Sequence, residues 1–494
     1  MNVAVFDLHH VDRPSLALLT DLYQVTMAYG YWKSGAADRP AVFQLTFRRH
    51  PFQGGFTIAC GLAYAIDYLA HLRFDADDVN YLAGLRGVDQ RPLFEPAFLD
   101  YLRGFKFLCD VDAVREGDVV FPHEPLIRVQ GPILQAQLVE SALLTLTGFP
   151  SLVATKAARI CQAARGDAVL EFGLRRAQGI DGALAASRAA YIGGCAATSN
   201  LLAGRLFDIP VRGTHAHSWI MSFGDERQAF EEYAEAMPNN CVFLVDTYDT
   251  LAGVRNAIEV GRWLRSHGHE LLGIRLDSGD LASLSIEARR MLDEAGFPEA
   301  AITASNELDE HLITNLKEQG AAICVWGVGT RLVTAYDQPA LGVVYKLTAM
   351  QEPDGLWRPC IKLSEQPIKI STPGRLQVRR FAQAGQYVGD LIYDLDLGPG
   401  DEPVLVDPLD DTRRIPVPEG AESHDLLRPV FRGGQLVDRA PGPAIAREHA
   451  AEELQRFAAS VKRFSNPHRY PVGLERRLQR LKRQLILKAR GHRE

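Results

Sequence analysis

Cysteine is sparse and unpatterned in this 494-residue chain: Cys60, Cys109, Cys161, Cys195, Cys241, Cys324 and Cys360, with no CxxC among them. An odd count without close pairs argues against a disulfide framework and a cysteine-built zinc site, and reads as reduced thiols of a cytoplasmic protein. No run of 18 or more apolar residues occurs, so no membrane span is expected. Residues 1–14 carry acids and histidines and show no apolar core of a secretory signal. An excess of positive charge is also missing. Lys and Arg number 54 against 61 Asp and Glu, a net charge of −7, and that argues against a nucleic-acid partner, whose phosphate backbone needs a basic surface. What is present, 47% hydrophobic and 23% charged residues, is an ordinary globular composition long enough for two or three domains.

Histidine is scarce too, at 14 residues, yet two stand together in Gly213-Thr214-His215-Ala216-His217-Ser218, just past the β-like run 209–211. A neutral imidazole there can bind metal, carry a proton or accept a phosphoryl group.

The middle of the chain repeats one sentence: a short apolar, β-branched run, a polar cluster, then an amphipathic helix. Runs at 168–172, 209–213, 241–246, 271–277, 301–305 and 322–327 lead into helices such as 251–267 and 308–319. Strands alternating with helices imply parallel βαβ units. Polar clusters at the end of strand after strand favour a β/α barrel, whose rim collects groups from many strands, over a doubly wound sheet with one switch point. The expected architecture is α/β: an irregular β/α barrel over 141–350, packed on an N-terminal α+β domain over 1–140. A C-terminal mixed extension over 351–494 returns in part to the other two. It ends in a basic helix with Leu474, Leu478, Leu481 and Leu485 on the docked face and its cations in solvent.

Four constellations can carry chemistry. Gly327-Val328-Gly329-Thr330 places paired glycines and a hydroxyl after a strand, where backbone N–H groups can approach a phosphate. In Arg275-Leu276-Asp277-Ser278-Gly279-Asp280, alternation puts Arg275 and Asp277 on one side of their strand. There the guanidinium fork suits a carboxylate, and the acid suits ribose hydroxyls or a Mg²⁺ shell. Glu171-Phe172-Gly173-Leu174-Arg175-Arg176 sets an aromatic beside paired arginines. The His pair is the fourth. As a hydrolase metal signature it needs further ligands, and the later His267, His269 and His311 fall on helices or connections, so a metal-dependent barrel hydrolase is disfavoured and no metal ligands are assigned.

These segments resemble the nicotinate phosphoribosyltransferase family. The likeness is carried by Leu18-Leu19-Thr20-Asp21-Leu22-Tyr23-Gln24-Val25-Thr26-Met27, by Phe47-Arg48-Arg49-His50-Pro51-Phe52 and by residues 151–159. It continues through Gly173-Leu174-Arg175-Arg176-Ala177-Gln178, residues 213–218, Asp246-Thr247-Tyr248, residues 275–280 and Asn466-Pro467-His468, in the family's order. The resemblance implies an enzyme joining nicotinate to 5-phosphoribosyl 1-diphosphate, coupled to ATP hydrolysis through a phosphorylated histidine, with Mg²⁺ accompanying the phosphates. It also implies a homodimer with shared active sites; a nicotinamide-using enzyme is the nearest alternative. Carried over position by position, His217 matches the phosphorylated histidine, Thr214 and Arg275 the nicotinate contacts, and Tyr23 an aromatic that reaches the pyridine ring from the partner subunit. Gly329 and Thr330 match a phosphoribosyl contact. Phe172, Arg175, Asp277, Ser305 and Asn306 follow by analogy as ring-stacking, anion and ribose contacts. His215 receives no role.

Overall fold

A computed structural model describes residues 15–491 of the chain, so the reading of the first fourteen residues lies outside the described ones. The chain divides into two compact units: Val153–Pro339 is one, and the segments before and after it together make the other.

The first unit is a ring of parallel strands. β1 (Ala168–Glu171), β2 (Ala197–Thr198), β3 (Val242–Leu244), β4 (Gly273–Leu276), β5 (Ala301–Ala304) and β6 (Val325–Val328) pair in the spatial order β2-β1-β6-β5-β4-β3. The last strand comes back to the first, with Val325 opposite Ala168 and Val328 opposite Glu171. A parallel bridge between Thr198 and Val211 adds one more stave. There the backbone ladder stops: among the described residues no main-chain bond joins residues 211–216 to β3. The gap is crossed instead by a side chain, the Leu244 N–H donating to His215 Nε2 at 3.4 Å. The barrel is thus a chain-ordered ring with one seam lacking backbone pairing.

Local chemistry explains the regularity. The helices Glu226–Ala236, Thr250–Ser266, Leu281–Glu294 and Glu310–Glu318 each begin after an aspartate, Asp225, Asp249, Asp280 and Asp309, whose carboxylate accepts a first-turn N–H. Such caps satisfy orphan donors, contributing about 1 kcal/mol each, and fix where each loop ends. In Thr250–Ser266 the buried face is Val254, Ala257, Ile258, Val260 and Leu264, and Leu251 in the first turn is half-buried. Gly253 lets this helix approach β3: a Cβ there would stand 2.1 Å from the Val245 carbonyl oxygen.

The second unit contains two large sheets and the two-stranded pair of Thr57–Ile58 with Val119–Val120. In one, spatial neighbours run Trp357–Pro359, Val344–Gln351, Pro40–Thr46, Ile127–Pro132, Asp110–Ala113, Arg428–Arg432 and Gln435–Leu436, all antiparallel. Ala41 lies opposite Met350, so strands from the two ends of the chain interleave. The three-part division read from the sequence therefore differs from the compact units. The middle segment forms its own unit, and the N- and C-terminal segments, of which the latter is expected to return in part to the others, share a sheet through strands some 300 positions apart. The other sheet carries the buried Arg380, which donates to Asp390 (Nη2 to Oδ2, 2.7 Å) and Glu453 (Nη1 to Oε2, 2.8 Å) among the rings of Phe121, Tyr387 and Phe457. In the closing helix Arg476–Ala489, Leu478 is buried and Leu481 and Leu485 are half-buried, but Leu474 belongs to the preceding strand Val472–Leu474. Lys482, expected in solvent, is buried beside Thr372 (3.4 Å), which pushes its ammonium down to about 8.

Adding a methyl at the tight helix–strand contact tests this packing. Gly253→Ala is expected to cost about 1–3 kcal/mol through overpacking, read as a lower urea midpoint with an unchanged slope.

Candidate active site

Every barrel strand places its polar residues at its C-terminal end. Arg275, on β4, is the hub. Its Nε donates to Ser305 Oγ (2.8 Å), Nη1 to Thr214 Oγ1 (3.1 Å) and Nη2 to Asp277 Oδ1 (3.2 Å), and its Cζ lies 5.6 Å from the Phe172 ring centroid. Ser305 Oγ also bonds Asp277 Oδ1. Five expected residues from four strand ends thus meet at one guanidinium. A guanidinium has five N–H donors; three are used within the protein, and two remain for an anion.

His217 opens the short helix His217–Met221 across the seam from β3. Thr247 Oγ1 lies 3.1 Å from its Nδ1, and its Nε2 stands 3.8 Å from Asp277 Oδ2 and 4.0 Å from Asp246 Oδ1. Asp246 is held by the Asp277 N–H (2.8 Å) and Ser278 Oγ (2.6 Å), both on Oδ2, while its buried Oδ1 has no hydrogen-bond partner. That oxygen, turned toward His217, is a ready acceptor for an imidazole N–H.

The two histidines are not equivalent. His217 is 39% exposed on the rim. His215 is buried among Phe230, Tyr233 and Phe243, and burial pushes its imidazole down to about 4. It is a neutral acceptor for the Leu244 N–H, and its place is structural, at the seam.

The remaining expected residues are more dispersed. Thr330 begins the turn Thr330–Val333 with its hydroxyl 3.5 Å from Glu307 Oε1, and Gly329 is tight, a Cβ there falling 3.2 Å from the Phe172 carbonyl oxygen. Asn306 is exposed with a left-handed φ of 96°, a conformation costly for a side-chain-bearing residue and typical of functional loops. Arg175 is exposed in the turn Leu174–Arg176. Tyr23, 49% exposed, lies in the first turn of Leu22–Lys33, in the other unit.

Three features escaped the sequence reading. Asp246 and Thr247 belong with His217, a relation only the turn after β3 reveals. A cleft in the other unit is lined by Arg48, His123, Lys346, Lys369, Ser371 and Thr372 with no carboxylate in its lining, a chemistry suited to a phosphate-bearing ligand. Its cations come from distant segments. The third is Glu171, whose carboxylate is fully buried at the end of β1. Among the described residues no group of three or more His, Cys, Asp or Glu is arranged to hold a metal ion, and no helix is long and apolar enough to cross a membrane.

The arginine hub, the flanking aromatic and the carboxylate-faced histidine stand together on one rim of a parallel β/α barrel. Models of the nicotinate phosphoribosyltransferase N-terminal domain, of the nicotinate phosphoribosyltransferase family and of its C-terminal domain match residues 18–147, 168–373 and 375–482. The chain is 44% identical to the nicotinate phosphoribosyltransferase of Bacillus subtilis over 93% of each chain, and 43% identical to one from Mycobacterium tuberculosis over 92% and 97%. The crystal structure of human nicotinic acid phosphoribosyltransferase superposes with a TM-score of 0.82 at 33% identity, covering 95% of this chain and all of that one. The chain belongs to the nicotinate phosphoribosyltransferase family.

The seam is testable by pH. A base whose folded pKa lies below its unfolded value near 6.5 favours folding above that value, and the contribution falls as pH drops toward about 4. His215→Gln keeps an acceptor without titrating. Between pH 7 and 5 the parent is expected to lose about 2 kcal/mol more stability than this variant, measured by urea unfolding at both pH values.

Proposed function

We propose that the chain joins nicotinate to 5-phosphoribosyl 1-diphosphate, giving nicotinate mononucleotide and diphosphate, the first step in making NAD from nicotinic acid. The observation that carries this reading is the Arg275 hub, with two free N–H donors next to the Thr214 hydroxyl and an aromatic face. The nicotinate carboxylate takes the guanidinium donors, and the pyridine ring lies along Phe172. A nicotinamide substrate would offer no charge to Arg275, so the anionic ring is preferred.

The pyridine nitrogen is itself the nucleophile. Its lone pair forms the bond to the anomeric carbon as the carbon–oxygen bond to diphosphate breaks, so no general base is required. The rim accordingly presents cations and carboxylates that manage charge. Asp277 and Ser305, already joined, present oxygens suited to ribose hydroxyls, with Asn306, Gly329 and Thr330 along the same rim and Arg175 available to an anionic oxygen. Asp277 Oδ2 and the unpartnered Asp246 Oδ1 would supply the one or two protein carboxylates that a substrate-borne Mg²⁺ needs, and the ion would neutralise charge on the leaving diphosphate.

ATP hydrolysis enters through His217, which takes a phosphoryl group from ATP and returns it to water. The new negative charge beside Asp246 and Asp277 reorganises the neighbouring cations and tightens substrate binding. The enzyme works in the cytoplasm as a homodimer with shared active sites, each Tyr23 reaching the pyridine of the partner subunit.

His217→Ala is expected to abolish ATP stimulation of turnover while leaving slow phosphoribosyl transfer; an unchanged ATP response sinks this role. Arg275→Ala is expected to raise the KM for nicotinate about 10- to 100-fold, the worth of charge-assisted hydrogen bonds, with the KM for 5-phosphoribosyl 1-diphosphate changing less.

A further inference from the structure

Glu171, the last residue of β1, is 0% exposed and has no Lys, Arg or His within ion-pair distance among the described residues. Burying a carboxylate without a cation is costly unless hydrogen bonds replace its water. Here they do. One oxygen accepts the Gly173 N–H; the other receives Ser187 Oγ (2.8 Å) and Thr198 Oγ1 (2.5 Å). Asn200 gives its Nδ2 hydrogen to Ser187 Oγ (3.2 Å) and its backbone N–H to Thr198 Oγ1 (3.0 Å), which leaves the Thr198 hydrogen for Glu171, while the single Ser187 hydrogen is shared between Glu171 and the Ala183 carbonyl (3.0 Å). The carboxylate therefore ties the turn after β1 to the helix Gly179–Ile192 and to β2.

The residue between the two clamped positions is Phe172. Its N–H donates to the Val328 carbonyl (2.8 Å), and its ring lies so close over Gly327 that a Cβ there would fall 2.7 Å from Phe172 Cδ2. On the far side of the clamp, a Cβ on Gly173 would fall 2.2 Å from Val333 Cγ1. The ring is packed over Gly327, and the backbone that follows it is held by Glu171 through the Gly173 N–H, so none of Glu171's own atoms needs to reach substrate.

We propose that Glu171 is a positioning residue that sets the plane of the Phe172 ring, and thereby the fit of the pyridine substrate, through the Gly173 N–H. This rests on the assignment of nicotinate as the ring that lies along Phe172. A buried acid with only neutral donors is a way to hold an aromatic plate rigid without placing a competing cation next to the Arg275 guanidinium. Thr198→Val removes one donor without removing the acid, so it should act in the same direction as Glu171→Gln and more weakly.

The test is a double-mutant cycle on the full-length enzyme, with Glu171→Gln and Phe172→Leu singly and together. Glu171→Gln is expected to raise the KM for nicotinate about tenfold in the parent but less than about twofold in the Phe172→Leu background. The KM for 5-phosphoribosyl 1-diphosphate should stay within about twofold in both. Equal effects of Glu171→Gln in the two backgrounds, an equal rise in both KM values, or no change in the nicotinate KM overturns the proposal. Should Glu171→Gln not fold, Thr198→Val takes its place in the same cycle. A parent enzyme that turns over no nicotinate instead removes the assignment on which the proposal rests, and is seen before any variant is made.

Discussion

The barrel depends on a parallel backbone ladder that runs from Val211 round to β3 and then stops. Across that seam the main chain makes no bond among the described residues, and side chains take over: His215 Nε2 accepts the Leu244 N–H, and His217 meets Thr247 and Asp246. The arrangement divides labour within three residues. The buried histidine, kept neutral, holds the edges together in an apolar setting, and the exposed one faces carboxylates on the rim. A continuous ladder would have fixed residues 213–218 by backbone pairing alone. A side-chain seam leaves that segment's position set by groups whose charge and hydrogen bonding can change with chemistry.

The rim is economical in a second way. Arg275 anchors Thr214, Asp277 and Ser305, three residues from three loops, so the geometry that would bind the carboxylate also holds the loops in register. Its partners are short side chains, which lose little freedom on being fixed. Preorganisation of this kind places charge before substrate arrives, which is where catalysis of charge-separating reactions gains most.

Much of the barrel was legible in the sequence, because its staves are apolar runs and its helices begin at Asp249, Asp280 and Asp309, short-range signals that need no distant partner. β2 was not, being only Ala197 and Thr198, too short to show a period. The segment near 209–213, read as a strand, contributes a single bridge at Val211 because Pro210 lacks an N–H for a ladder. Arg275 and Asp277 were found by alternation on one strand, while the pairing of His217 with Asp246 and Thr247 depends on two turns meeting across the seam and has no sequence period. The same limit hid which strands pair in the shared sheet of the second unit, where Ala41 meets Met350, and the burial of Lys482, whose pattern on a helix is that of a solvated cation.

In the proposed function the seam segment presents His217 as the phosphoryl carrier while His215 serves the fold. Mass spectrometry of the intact enzyme and its peptides after incubation with Mg²⁺ and ATP, kept at alkaline pH, addresses this most directly. One acid-labile phosphoryl group on the peptide containing residues 213–218, assigned to His217 and absent from His217→Ala, is the result expected. Phosphate on His215 or elsewhere, or none at all in an enzyme whose turnover ATP stimulates, would contradict it.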